Sequence, residues 1–422
     1  MIHPKVRWLT FVGVLLSSSA LISAAARHGI AGHWAESSNA NQWLRAAEWE
    51  PTNAQNWYRL GRYRKLDPEN TDVPLAISYF RRAVELDPNR ASYWLDLAEA
   101  YEIIGDVGNA ENAFRWAERD HPISSDVNWR YGNFLLRQNR LEESFRQIQQ
   151  AVSSDPKMTP LAVSICWRRS HDIDQILSFA LPPTAQVYWG AIAYFVSAGE
   201  PVAAMAVWKR LVAEKPSFPL SNAFPLLELL ISSEHVDDAR VVWQGACSVA
   251  GIALEREGDS LIWDGGFERE FLNGGFAWRY RPVAGANMNL DEEVVHSGRR
   301  SLRVVFDGTA NVGFGNIWQY VAVQPNTRYR FSSYIRAQEI TTDKGIRFQI
   351  SGDGMSNQVT PNIVGTQPWA PDDVEFSTGP DTRLLEITLR REPSDKFGNK
   401  IRGTVWVDDV SLVLMRASES NR

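Results

Sequence analysis

Apolar residues along this chain fall into three successive rhythms. The first is a nearly unbroken apolar run from Trp8 to Ala26, preceded by Lys5 and Arg7 and interrupted mildly by Ser17-Ser18-Ser19. From about residue 33 to 253, apolar positions recur at helical spacing. The character changes near Gly251–Ser260. From Leu261 onward, apolar and polar residues alternate at period two, with Gly, Asn, Asp and Pro between the runs. That alternation predicts strands at Leu302–Phe306, Ile317–Val323, Tyr329–Ala337, Ile346–Ile350, Val374–Ser377, Leu384–Leu389 and Thr404–Val413. Many short strands with turn signals point to an antiparallel β-sandwich or jelly roll. The expected fold class is a multidomain α + β chain. It has a transmembrane or signal helix (1–32), an all-α solenoid (33–253) and a C-terminal β-sandwich (261–416).

The helical part repeats. Pro88, Pro122 and Pro156 stand 34 residues apart, and the residues between them recur in step. After Pro88 come Trp94, Leu97, Ala98 and Tyr101, then Gly105, Ala110, Phe114 and Ala117. Trp57, Leu60, Gly61, Ala76, Phe80 and Ala83 form the unit before, its turn lengthened at Leu66–Asn70. In the unit after, Trp129 is displaced by one position. This pattern resembles the tetratricopeptide repeat (TPR), a helix–turn–helix unit, and the match is best over 54–156. Each helix pair has an apolar face that it can bury only by stacking on a neighbour, so the resemblance implies a surface for a protein partner. Counting from Trp57 and Trp94, the groove positions are Tyr58, Arg62, Leu95, Glu99, Glu102, Trp129, Asn133 and Arg137. Their charges are mixed, which argues against a carboxylate clamp built from grouped cations.

The N-terminal run of 19 residues is near the length that spans a bilayer. Ala24-Ala25-Ala26 also offers a cleavage site. Helix begins again by about residue 35, leaving almost no linker, which favours an uncleaved anchor. Either way the body is expected to be exported, with Lys5 and Arg7 cytoplasmic. Net charge is −6, without the basic footprint of a nucleic-acid binder. Cys166 and Cys247 are the two cysteines; a pair and two buried thiols are both open readings. No metal-ligand spacing of Cys or His occurs.

Asp264-Gly265-Gly266-Phe267-Glu268, His296-Ser297-Gly298-Arg299-Arg300-Ser301-Leu302, Gln319-x-Val321-x-Val323-x-Pro325-x-x-x-Tyr329 and Trp406-Val407-Asp408-Asp409-Val410-Ser411-Leu412 follow one another in order. Together they resemble the landmarks of carbohydrate-binding-module-type, galactose-binding-like jelly rolls, with Asp264 where the family usually has Asn. The resemblance implies a structural Ca2+ held by Glu268 and Asp408 or Asp409; a turn in which Asp408-Asp409 cap local N–H groups is the other reading. Strand alternation turns Trp318, Tyr320, Arg328, Arg330, Tyr334, Arg336, Arg347, Gln349 and Arg390 away from the core. If their strands are neighbours, one outer face carries Trp318, Tyr320 and Tyr334 amid Arg330 and Arg347. Flat aromatic faces stack on sugar C–H faces, and arginine forks bind hydroxyls or carboxylates. Trp278 is a further candidate for this site, whereas Trp369 reads as core. The competing reading packs the face on the last helical repeat.

No catalytic constellation stands out. The neighbouring carboxylates Asp264, Glu268 and Glu270 fall at the sandwich edge by resemblance, and no nucleophile elbow, P-loop or dinucleotide fingerprint appears. The expectation is a non-enzymatic, exported, membrane-anchored adaptor of a bacterial-type envelope. Its helical groove would bind protein, and its sandwich would bind glycan in polysaccharide synthesis, export or retention. A protein-binding scaffold with a structural sandwich and an accessory subunit of a glycosidase system are the alternatives.

Overall fold

The computed structural model describes residues 4–37, 39–69, 71–252 and 259–415, the side chains of 4–7 and 9 excepted. The side chains of Lys5 and Arg7, Asn70 of the lengthened turn, the changeover segment 253–258 and residue 416 lie outside the described residues. The chain forms two compact units, Met1–Val187 and Tyr188–Arg422.

The first unit is helical. Its helices are α1 (Pro4–Ala35), α2 (Ala40–Trp49), α3 (Ala54–Leu66), α4 (Val73–Leu86), α5 (Ala91–Ile103), α6 (Val107–Asp120), α7 (Ser125–Arg137), α8 (Leu141–Ser154), α9 (Thr159–Ser170) and α10 (Ile173–Phe179). The stretch Thr10–Ala35 within α1 is long and apolar enough to cross a membrane. At 1.5 Å per residue it measures about 39 Å, more than the roughly 30 Å hydrocarbon core.

The sequence period has a hydrogen-bonding cause. Each leading tryptophan donates its indole N–H to a proline carbonyl six residues earlier, Trp57 to Pro51 (3.1 Å) and Trp94 to Pro88 (2.7 Å). In the next unit Asn128 takes that position and donates to Pro122 (2.9 Å), which is why Trp129 reads as displaced. Asn53, Asp72, Asp106 and Ser124 cap α3, α4, α6 and α7 with side-chain acceptors. The small position of each unit is where paired helices touch. A Cβ on Gly61 would lie 2.6 Å from the Phe80 ring, and Ala98 and Ala110 are fully buried.

The second unit contains α11 (Ala185–Ala198, most of which belongs here), α12 (Pro201–Ala213), α13 (Phe224–Ser232) and α14 (Val236–Val249). A sandwich of two five-stranded antiparallel sheets follows. The first sheet has the order β1-β4-β9-β6-β7, with β1 Arg279–Tyr280, β4 Phe314–Ala322, β9 Leu384–Arg391, β6 Arg347–Gly352 and β7 Gln358–Val359. The second has the order β2-β3-β10-β5-β8, with β2 Ala286–Asp291, β3 Ser301–Asp307, β10 Arg402–Leu414, β5 Arg328–Ile340 and β8 Gly365–Ser377. The core between them is made by Leu302, Val304, Phe331, Phe348, Ile387 and their neighbours. The predicted strands are present. β1, β2, β7 and the first half of β8 are additional.

Within this unit the sandwich packs on α13 and α14 through Asn273-Gly274-Gly275-Phe276. A Cβ on Gly274 would sit 2.3 Å from the Phe224 ring, and one on Gly275 2.7 Å from Trp243. Beside them the buried Arg279 guanidinium donates to both oxygens of Glu228 on α13 (2.9 and 2.6 Å).

Candidate functional sites

The helical groove is stitched by charge across α3, α5 and α7. Lys65 Nζ donates to Asp96 (2.9 Å) and Glu99 (2.6 Å), and Arg130 Nε donates to Glu99 (2.8 Å). Arg137 forks onto Glu102 at 2.6 and 2.8 Å. Tyr58 OH donates to Asp96 (2.7 Å), and its pKa is pushed up to about 12, by burial first and then by the Asp96 carboxylate. Burial pushes the Asp96 carboxyl up, but Lys65, Tyr58 and Arg130 outweigh it, so its pKa lies below the usual value. Of the predicted groove residues, Tyr58, Glu99, Glu102 and Arg137 join this network. Arg62 is exposed at its rim, 3.9 Å from Asp96, and Asn133 bonds the Trp129 carbonyl. Leu95 is not a groove residue: it is buried in the helical core. The linking residues Lys65, Asp96 and Arg130 were missed, because alternating charge on a helix reads as a solvated face. At the α2–α3 end an open cavity of about 440 Å3 is lined by Trp43, Tyr58, Arg59, Arg62 and Tyr63.

In the sandwich, the two sheets divide the predicted sugar-binding set. Trp318 and Tyr320 lie on β4 in the first sheet, their side chains half-buried on its outer face. Cross-strand registers place Thr388 beside Trp318, Gln349 beside Thr388, Glu386 beside Tyr320, and Arg390 beside Arg347. This face therefore joins Trp318, Tyr320, Gln349, Arg347 and Arg390. Arg347 also pairs with Glu392 (3.0 Å). Tyr334 and Arg330 belong to β5 in the other sheet and cannot share it. Tyr334 instead stacks on His296 (centroids 3.7 Å apart), with Trp369 edge-on to the same ring rather than in the core, and Arg330 pairs with Asp373 (3.1 Å). Alternation identifies the face of a strand, not the sheet it joins. Trp278 is also excluded, because it is buried and donates to the Asp264 carbonyl (3.1 Å). The two aromatic residues of this face have different surroundings. The Tyr320 end abuts α14, with Arg279 over its ring at 5.0 Å; Trp318, with Arg281 at 5.1 Å, lies one step further along.

The residues that resemblance assigns to calcium converge on the turn 296–300. Glu268 Oε1 accepts N–H from Arg299 (2.6 Å) and Arg300 (3.2 Å). Asp408 Oδ2 accepts N–H from His296 (2.9 Å) and Ser297 (3.2 Å), and Oδ1 accepts from the Asp409 N–H (2.8 Å). Asp409 is engaged by the His296 ring and the Ser297 hydroxyl. Calcium needs several oxygens with free lone pairs aimed at one point. Here the positive ends of N–H and O–H groups meet those oxygens, so the arrangement does not fit the cation. Among the described residues, no group of three or more His, Cys, Asp or Glu is suited to a metal. Burial, only partly offset by these N–H groups, pushes the Asp408 carboxyl up to about 6. Cys166 and Cys247 are free and buried, each thiol pushed up to about 12 by burial.

Residues 69–111 and 104–158 match the family model for the tetratricopeptide repeat. The helical part thus contains a TPR region, and an antiparallel β-sandwich follows it. No curated protein matches it. Solved structures similar to parts of the chain include MamA, at 14% identity and a TM-score of 0.27, covering 42% of this chain and 86% of that one. Another is the CBM22-1 xylan-binding domain of Xyn10C from Paenibacillus barcinonensis, at 14% identity and 0.27, covering 39% and 100%. A third is TmCBM61 in complex with β-1,4-galactotriose, at 16% and 0.27, covering 37% and 99%.

Proposed function

We propose that this protein is a non-enzymatic, membrane-anchored adaptor of the cell envelope, exported so that its body faces the extracytoplasmic side. In this reading the TPR groove holds a protein partner, the sandwich holds a glycan, and α1 is the anchor. The observation that carries the glycan assignment is the outer face of the first sheet. Trp318 and Tyr320 stand two positions apart on β4, about 6.8 Å along the strand, a spacing comparable to one pyranose unit. Gln349, Arg347 and Arg390 beside them supply donors for hydroxyls or carboxylates. The groove carries the protein-binding assignment: its exposed Arg62 and the aromatic cavity at the α2–α3 end suit an extended segment bearing both apolar and acidic side chains.

A scaffold whose sandwich is only structural is the second reading, favoured by the packing of the Tyr320 end against α14. The two separate in one experiment. The full chain in detergent is titrated with neutral and uronic-acid oligosaccharides, beside the Trp318→Ala variant. Binding that weakens in the variant supports the glycan reader. Absence of binding to every member by the folded wild type overturns it in favour of the scaffold.

A further inference from the structure

The Tyr320 end of the outer face does not close when it reaches the helices. A cavity of about 210 Å3 opens there, lined by Trp243, Trp263, Phe276 and Tyr320, with Arg240 and Gln244 of α14 also on its wall. Pockets for drug-sized ligands run to about 300–1,000 Å3, so this one is sized for a single ring. Its aromatic walls are fixed in advance. Trp263 is held through its backbone, whose N–H donates to Gln319 (3.1 Å) and whose carbonyl accepts from the same buried side chain (2.8 Å). Trp243 meets Trp263 edge-on at 5.9 Å and Phe276 at 6.2 Å. Tyr320 is braced by the Arg279 guanidinium, itself locked to Glu228. Arg240 and Gln244, by contrast, are exposed, and the nearest carboxylate to Arg240 is Asp237 at 3.6 Å.

Aromatic walls with exposed polar tips at the rim match a sugar ring, apolar on its faces and hydroxylated around its edge. Tyr320 belongs both to this cavity and to the outer face of the first sheet. A glycan crossing Trp318 therefore meets the cavity at the next step. Resting on the glycan reading above, we infer that the terminal helical hairpin supplies an additional sugar subsite. In it one ring of a longer glycan sits among Trp243, Trp263 and Tyr320 and is hydrogen-bonded by Arg240 and Gln244. The glycan-reading surface is then composite, built from the sandwich and α14 together. Short oligosaccharides would occupy the Trp318 region alone, and long ones would reach α14.

The test is calorimetric titration of the full chain with short and long members of a neutral and a uronic-acid oligosaccharide series. The wild type is compared with Arg240→Ala/Gln244→Ala, two exposed positions whose truncation leaves the core intact, and with Trp318→Ala. The double variant should lose about tenfold in affinity for the long members, the equivalent of one or two hydrogen bonds, and nothing for the short ones. Trp318→Ala should weaken both. The series that shows the length effect identifies the sugar class. An unchanged length dependence in the double variant, with Trp318→Ala still weakening binding, overturns the subsite and leaves the sheet-face reading standing. If Trp318→Ala has no effect, or nothing binds the wild type, the sheet-face reading fails and the subsite fails with it.

Discussion

Replacing Asp372 by asparagine should stabilise the sandwich at neutral pH and do nothing in acid. Asp372 lies on β8 opposite Ser333 of β5, on the face turned to the core, and is only 3% exposed. Its Oδ2 and the Ser333 hydroxyl find no partner among the described residues. Burial pushes the carboxyl up to about 6; a hydrogen bond from Thr360 opposes this, and the neighbouring Asp373 charge adds to it. In the unfolded chain the value is about 3.9. Because the folded value is the higher, the fold prefers the protonated acid. The associated stability is complete below about pH 4 and is lost as pH rises through about 6. The two values differ by about 2, and each unit is worth about 1.4 kcal/mol, so at neutral pH the ionised group costs about 3 kcal/mol. Asp372→Asn keeps the shape and removes the charge. Because the chain has two units and need not unfold as one, local amide exchange in β5 and β8 is the suitable assay, followed from about pH 5 to 8. Protection in the variant should exceed that of the wild type increasingly as pH rises. A difference between the two that does not change with pH would refute the reasoning, since it would mean that the carboxylate keeps one protonation state throughout.

Two further outcomes follow from the sandwich. Arg391 is buried without a carboxylate. Its five N–H groups bond Lys344 O, Asn311 Oδ1, Val312 O, Thr342 Oγ1 and Asn399 O, tying three loops together. Arg391→Met should cost about 3–5 kcal/mol, and Arg391→Lys should not recover it because lysine lacks the planar fork; limited proteolysis of those loops would report the loss. Chelation by EDTA should leave the unfolding midpoint of the sandwich unchanged, because backbone N–H groups already meet Glu268 and Asp408; a lowered midpoint in a thermal scan would restore the cation.

What could be read in advance divides by physical cause. The TPR period was legible because a tryptophan indole must meet a proline carbonyl six residues before it, and because Gly61 and Ala98 sit where helices touch. The outward direction of Trp318 and Tyr320 was legible because alternation turns them from the core. Tyr334 was misplaced because pairing between distant strands leaves no local trace: β4 pairs with β9, some seventy residues on, and not with the next strand β5. β7 is two residues long, too short to register, whereas β2 does alternate, Ala286, Met288 and Leu290 against Asn287, Asn289 and Asp291, and was overlooked. Arg391 was invisible for another reason. A buried cation satisfied by carbonyls has no partner whose spacing could announce it.

The docking of Gly274-Gly275 against Phe224 and Trp243, with Arg279 locked to Glu228, bears on how this protein can be divided. The change of rhythm near residues 251–260 invites a cut there, yet a fragment that starts at 261 would carry Arg279 without its counter-ion and bare Phe276 and Tyr320 to solvent. The natural module is larger than the sandwich. It begins upstream of α13, so recombination, tagging or heterologous expression that respects the visible seam would separate parts that share one interior.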